Sequence, residues 1–238
     1  MVRVFSDFDG TIAVEDVGSH LFRAFAGSKA NEIVRFYLDG TITARDCLTQ
    51  ECQAVESASR SELEQFVDQF SLDETFGRFV DFCRQRDIPV IVLSDGLDFY
   101  VDRLLKKNGF GNLQYFSNHL ELIQKGSSTK MAPSFPHSDA ECVLCGNCKR
   151  NHLLTLSGDD DIIIYIGDGI SDRCPVRFAD IVFAKGGLIK YCQEQNVTYF
   201  EFKNFEDVTR KLELTLQRKR IKKRREAEMA RREVFAQG

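Results

Sequence analysis

Three short apolar runs, VRVFSDFDG (residues 2–10), IPVIVLSDG (88–96) and DIIIYIGDG (161–169), each end in carboxylates beside a glycine turn, and they constrain the fold more than any other feature. Such runs are too short for helices and are apolar on successive residues, so they read as strands buried on both faces. Helically spaced stretches lie between them. LDFYVDRLLKKNGF follows the second run, with Gly109 as a C-cap, and GGLIKYCQEQN separates the strand-like ADIVFAK (179–185) from VTYFEF (197–202). Strands alternating with helices predict an α/β fold built on a parallel sheet with right-handed crossovers. Function gathers at the carboxyl ends of such strands, where the acidic turns fall.

From Glu15 to about Arg86 the spacing is helical: VGSHLFRAF, ARDCLTQECQAV, RSELEQFVDQF and ETFGRFVDFCRQ place apolar residues three and four apart. This predicts a small helical cap at residues 14–79, inserted in a discontinuous core of residues 1–13 and 80–238. NLQYFSNHLELI (112–123) reads as a strand or hairpin, residues 124–148 as an irregular excursion, and helix returns at Lys149–Ser157. YLDGTIT (37–43) echoes DFDGTIA (7–13), but Tyr37 replaces the first Asp and the preceding NEIVRFY is helical, so the echo is a turn.

With 43% hydrophobic residues in 238, the chain can bury a sizeable core. No apolar run is long enough to span a membrane and no signal peptide opens the chain, so a cytoplasmic protein is expected. The net charge of −4 conceals a basic tail: residues 217–238 carry nine Lys/Arg against three Glu. That tail has no interleaved aromatics, so nucleic-acid binding is not expected, and a solvated helix that could extend the last one, or a frayed terminus, is. The eight cysteines are expected to be reduced, with Cys47, Cys52, Cys83, Cys174 and Cys192 as small buried hydrophobes.

Asp7 and Asp9 lie two apart, a spacing that on an extended strand turns both carboxylates to one side. Like charges so close are tolerated around a divalent cation or with one proton, and hard oxygen ligands suit Mg2+. Gly10-Thr11 adds N–H groups and a hydroxyl for an anion such as phosphate. One carboxylate can then attack phosphorus while the other protonates the leaving oxygen and activates water. The plainer alternative is that Asp-Gly closes a turn. Ser94 and Asp168 end the other two runs, and Lys149 opens a helix, which completes the parts of a phosphoryl-transfer site.

In chain order, Asp7, Asp9, Thr11, Ser94, Lys149, Asp168 and Asp172 resemble the four-part signature of the haloacid dehalogenase superfamily. The resemblance implies a Rossmann-like core, Mg2+ as cofactor, Asp7 as nucleophile and Asp9 as general acid/base, with Thr11, Ser94 and Lys149 on phosphate. It also implies metal binding by Asp7, the Asp9 carbonyl and Asp168, supported by Asp172. The insert resembles the C1-type cap of the phosphoserine phosphatase-like group. CGNCK (145–149), GDGISDRCP (167–175) and FAKGGLIKYCQEQN (183–196) resemble the branch of methionine-salvage enolphosphate, phosphoethanolamine/phosphocholine and fungal polyol phosphatases. A small phosphorylated metabolite is the implied substrate.

Asp95 stands where many relatives have Gly. It reads either as the partner of a cationic substrate head or as a helix N-terminal carboxylate. Asp16 reads as an amino-group partner or as the N-terminal carboxylate of the first cap helix, and His20 as a core or cap histidine near substrate. Cys142, Cys145 and Cys148 have zinc-ligand spacing, with His137 or His152 as a fourth ligand, although packing of the loop before Lys149 is preferred. A zinc- and nucleic-acid-binding scaffold on the same fold is the competing class.

Overall fold

The computed structural model describes residues 1–237 apart from 127, 141 and 143. In chain order the elements are β1 (Val2–Asp7), α1 (Val17–Ala26), α2 (Ser28–Leu38), α3 (Ala44–Ala54), α4 (Arg60–Val67), α5 (Phe76–Arg84), β2 (Val90–Leu97), α6 (Asp98–Lys107), β3 (Gln114–Lys125), β4 (Ser128–Ser134), α7 (Lys149–Thr155), β5 (Ile162–Gly167), a 3-10 turn (Pro175–Arg177), β6 (Ile181–Ala184), α8 (Gly186–Glu194), β7 (Phe200–Glu201), α9 (Phe205–Leu216) and α10 (Arg225–Gln237). They form two compact units. One comprises Met1–Ile12, Leu72–Leu93 and Lys149–Gly238, the other Ala13–Ser71 and Ser94–Cys148.

In the first unit the strands run β2-β1-β5-β6-β7, all parallel. The α/β expectation is met, and the apolar runs are buried on both faces: every residue of β5 and β6 is buried. The chain steps from β1 to β2 on one side and from β5 outward on the other. Strand order therefore reverses at β1, and the crevice beyond the carboxyl ends of β1 and β5 is the switch point where ligands bind in such sheets. Asp7 ends β1 in register with Leu93 of β2, and Asp168 follows β5.

The unit boundaries differ from those expected. The helix ETFGRFVDFCRQ, read as part of the helical run, belongs to the first unit as α5. Its apolar stripe is buried on α9, with the Phe76 and Phe79 rings 4.9 and 5.1 Å from that of Phe205. Truncating a buried Phe of this kind costs about 3–5 kcal/mol. β7 is only two residues long, paired through Phe200 and Glu201. The basic tail does not extend the last helix. The chain turns back after α9, and Arg224 Nη2 donates to the carbonyls of Val176 and Arg177. Arg231 donates to Phe178 O and to Asp180 Oδ1 at 3.0 Å, and Ala227 on α10 is fully buried. Cys47, Cys52, Cys83 and Cys192 are buried as expected, but Cys174 is exposed. No described helix is long and apolar enough to cross a membrane.

The second unit holds α1–α4, α6 and an antiparallel hairpin of β3 and β4, so residues 94–148 group with the helical insert. β2 passes into it at Leu93–Ser94. Thr43 and Ser59 each form a capping box, with Asp46 and Glu62, which fixes the starts of α3 and α4. The echo at residues 37–43 is indeed a turn, with Asp39 capping α2. His119, for which the sequence offers no partner, pairs with Asp98 through Nδ1 at 2.6 Å.

Glu51 is buried in α3, where it accepts from the Cys47 thiol, and burial pushes its carboxyl from an ordinary 4.5 up to about 7. The unfolded chain ionises near 4.5 while the folded one resists, so this group withdraws stability as pH rises from 4.5 to 7. Glu51→Gln is expected to stabilise the protein at pH 8 by up to about 3 kcal/mol and by nothing at pH 4. Urea unfolding of both proteins at the two pH values checks this. An equal effect at both would exclude a titrating Glu51.

Candidate active site

β1 delivers Asp7, buried and ionisable, to the sheet edge, and the chain then turns at once. Thr11 N donates to Phe8 O at 3.2 Å, so Asp9 is carried by a turn and not by the strand, and it is half-buried. Strand alternation therefore does not by itself place the Asp9 carboxylate, which lies past the end of β1. The carboxylates brought to Asp7 come from beyond β5: one oxygen each of Asp7, Asp168 and Asp172 lie within 4.8 Å of one another. Close packing at Gly10 permits this, because a Cβ there would sit 2.6 Å from Asp168 Oδ2 and Gly10 has φ +69°.

Lys149, at the start of α7, is completely buried among these acids. Its ammonium donates to Asp7 Oδ1, to Asp172 Oδ1 at 2.8 Å and to Ser171 Oγ at 2.9 Å. Burial alone would depress its pKa, but the charges of Asp172 and Asp7 overcome that and raise it, so it stays charged. Burial, then Asp172, holds the Asp7 carboxyl well above the ordinary carboxylate range despite Lys149. Asp168 is raised for the same reasons, burial first and Asp172 second. Burial also raises Tyr165, whose hydroxyl donates to Asp172 Oδ1 at 2.6 Å.

Asp172 is thus engaged on both oxygens. Oδ1 accepts from Lys149 and Tyr165, and Oδ2 accepts from the backbone N–H of Asp168 and Gly169 at 2.9 and 3.0 Å. Thr11 donates its hydroxyl to Asp168 Oδ1 at 3.0 Å. Lys185, whose pKa is depressed by burial, reaches Thr11 O at 3.5 Å with its Nζ 5.1 Å from the Phe202 ring centroid. Sequence reasoning missed Tyr165, Ser171 and Lys185. Ser171 was the most findable, since it lies inside the GDGISD turn.

Three carboxylates against the one buried ammonium among them leave an excess of negative charge that a hard divalent cation would match, so the donor set fits a metal. The three cysteines are not part of this cluster, and among the described residues no cysteine grouping brings three ligand atoms within 4.8 Å.

The remaining expected residues lie in the other unit. Ser94 is buried and its Oγ accepts from Gly96 N at 3.0 Å. Asp16 caps α1, accepting from Ser19 N at 2.7 Å, and His20 Nδ1 is 2.7 Å from Asp16 O with its ring edge-on to Phe70. The helix-cap reading of Asp16 is the one observed. Asp95 Oδ1 accepts from the N–H groups of Gly146 and Asn147.

Acids from neighbouring strand ends gathered on one buried ammonium at a switch point make a candidate site for a cation and an anionic ligand in an α/β protein. Residues 4–174 match the haloacid dehalogenase-like hydrolase family, and the chain belongs to it. The 2-hydroxy-3-keto-5-methylthiopentenyl-1-phosphate phosphatase of Bacillus cereus is 32% identical over 219 residues, 91% of this chain and 98% of its own. The protein of that name from Bacillus thuringiensis is 31% identical over 224 residues with the same coverage. A phosphoserine phosphatase solved as a phospho-aspartyl intermediate analogue shares the fold with a TM-score of 0.65 at 16% identity, covering 88% of this chain and 97% of that one. A HAD family hydrolase of Salmonella enterica serovar Typhi gives 0.69 at 18% identity, over 87% and 69% of the two chains.

Proposed function

We propose that this chain hydrolyses a small phosphomonoester through a phosphoaspartyl intermediate on Asp7, and that its substrate is the methionine-salvage enolphosphate 2-hydroxy-3-keto-5-methylthiopentenyl-1-phosphate. The observation that carries the chemistry is the gathering of Asp7, Asp168 and Lys149 at the switch point. The substrate reading rests on the relatives above, which match nearly end to end.

Asp7 attacks phosphorus through a carboxylate oxygen, and the bond from phosphorus to the ester oxygen breaks. Asp9 delivers a proton to that oxygen as it leaves. It then takes a proton from water, which attacks the phosphoaspartyl group, releases phosphate and restores Asp7. Lys149 offsets charge on the phosphoryl oxygens, and Ser94, next in the chain after the register partner of Asp7, supplies a hydroxyl donor. Asp7, Asp168 and the Asp9 carbonyl would hold Mg2+, which supplies Lewis-acid stabilisation of the phosphoryl charge. Asp172, fully engaged, orients Lys149 and the Asp168–Gly169 backbone. Thr11 does the same for Asp168.

Phosphoethanolamine, phosphocholine or phosphoserine would need a carboxylate for their cationic groups, but Asp16 and Asp95 already accept backbone N–H groups within their own unit. A panel of phosphate esters assayed with Mg2+ and with EDTA tests the reading. Expected are metal dependence and a kcat/KM for the enolphosphate about 100-fold above that for the amine-bearing esters. A preference for the latter overturns the substrate. Stoichiometric zinc and oligonucleotide binding without turnover would favour the scaffold class.

A further inference from the structure

We infer that Asp95 is a positioning residue, forming with Asn147 a latch that sets the loop from which Lys149 emerges. This rests on the function proposed above and assigns Asp95 a role other than contact with a substrate head group. Asp95 Oδ1 accepts two consecutive backbone N–H groups, Gly146 at 3.0 Å and Asn147 at 2.8 Å. Bonds from N–H groups to a carboxylate are the stronger kind, and two on one oxygen fix a peptide's orientation as well as its distance.

Asn147 returns the tie. Its side chain is fully buried, and Nδ2 donates to Ser94 O at 2.8 Å and to Phe116 O at 2.9 Å. Asn118, also fully buried, donates to Asp95 O at 2.7 Å, and Cys148 N donates to His137 O at 2.9 Å. The loop is packed so closely that a Cβ on Gly146 would lie 2.8 Å from both polar atoms of the Asn118 amide and from the Phe135 ring. Residues 145–148 are therefore held at nearly every peptide, and the next residue is Lys149.

The reciprocal bonds join the segment after β2's apolar run, Ser94-Asp95, to the segment before α7, Asn147-Cys148. The first of these segments bears the hydroxyl assigned to phosphate, and the second leads along the chain directly into Lys149, which bears the ammonium. A group held by a locked neighbour keeps a productive geometry within a few tenths of an ångström, and loosening it lowers kcat for every substrate alike.

The test compares Asp95→Ala, Asp95→Asn and Asn147→Ala on cationic, anionic and neutral phosphate esters, with amide hydrogen exchange of residues 144–150. Asp95→Ala is expected to lower kcat about 10–100-fold by the same factor for all three ester classes. Asp95→Asn, which keeps an acceptor oxygen without the charge, should recover most of that loss. Asn147→Ala should resemble Asp95→Ala, and the double variant should fall short of the product of the two effects. Exchange at Gly146 and Asn147 should accelerate in Asp95→Ala.

A loss confined to cationic esters and to KM, with Asp95→Asn as poor as Asp95→Ala, would make Asp95 a recognition residue and overturn the latch. Unchanged exchange at Gly146 and Asn147 would overturn it too. Should Asp95→Ala not fold, Asn147→Ala and Asp95→Asn carry the same comparisons. If the wild-type protein hydrolyses no phosphomonoester, the proposed function fails, while the exchange arm still decides whether the latch exists.

Discussion

Asp7→Asn is expected to abolish turnover, lowering kcat by about 10^4-fold or more, and at the same time to raise the melting temperature of the metal-free protein. The first effect follows from loss of the attacking oxygen. The second follows from charge: Asp7 is buried beside Asp172 and Asp168, which hold its carboxyl well above the ordinary range, so at neutral pH its ionisation is resisted. A group with a raised carboxyl pKa withdraws stability as pH climbs from its unfolded value through its folded one. The gain should therefore show at pH 8 and vanish in acid, at about 2–4 °C for each kcal/mol relieved. Mg2+ should stabilise the variant less than the wild type, because one ligand has lost its charge. Calorimetry at two pH values, with and without Mg2+, gives all three readings. Undiminished turnover would remove Asp7 as nucleophile, and a lower Tm would mean that attraction to Lys149 outweighs repulsion from the acids.

Lys149→Ala should do the reverse to stability. Its ammonium is the cation that bridges Asp7 and Asp172, and both partners are buried. Removing one member of a buried ion cluster leaves the others uncompensated, at a cost of about 3–5 kcal/mol. Because the folded-state pKa of Lys149 is raised, its contribution is present at all pH values below the ordinary lysine range and is lost only above it. Any pH dependence of the variant between 5 and 8 therefore comes from the carboxylates. Its deficit should shrink toward pH 5 as they take up protons, and shrink also in Mg2+. Lys149→Met, which keeps the packing volume, separates charge from cavity: a similar deficit in both variants assigns the loss to charge. Urea unfolding measures this, and kcat should fall about 10^2–10^3-fold in either variant. Deficits that do not respond to pH or Mg2+ would argue that Lys149 stabilises by packing alone.

Much of this protein was settled by local pattern. Short apolar runs too brief for helices read as buried strands of a parallel sheet, and β1, β2, β5 and β6 appear where such runs lie, the first, second and third of them ending in a carboxylate and a glycine turn. A cap was legible as one of two readings, because a side-chain oxygen three residues ahead of a free N–H is a contact within one turn. Asp16 at α1 is of this kind. The order of the acidic turns along the chain identified the family, and the comparison bears that out.

What periodicity could not settle is which residues become neighbours after the chain returns. Asp168 and Asp172 reach Asp7 because β5 lies beside β1 in the sheet, which no local spacing shows. α5 has the same spacing as the cap helices but buries its phenylalanines on α9. Asp95 reads from sequence either as the partner of a cationic head or as a helix N-terminal carboxylate, and the loop at 146–147 instead brings two N–H groups to it. Sequence spacing governs contacts within a turn or a strand. Strand order and loop return decide which buried charges must balance, and that balance depends on distances between residues more than a hundred positions apart.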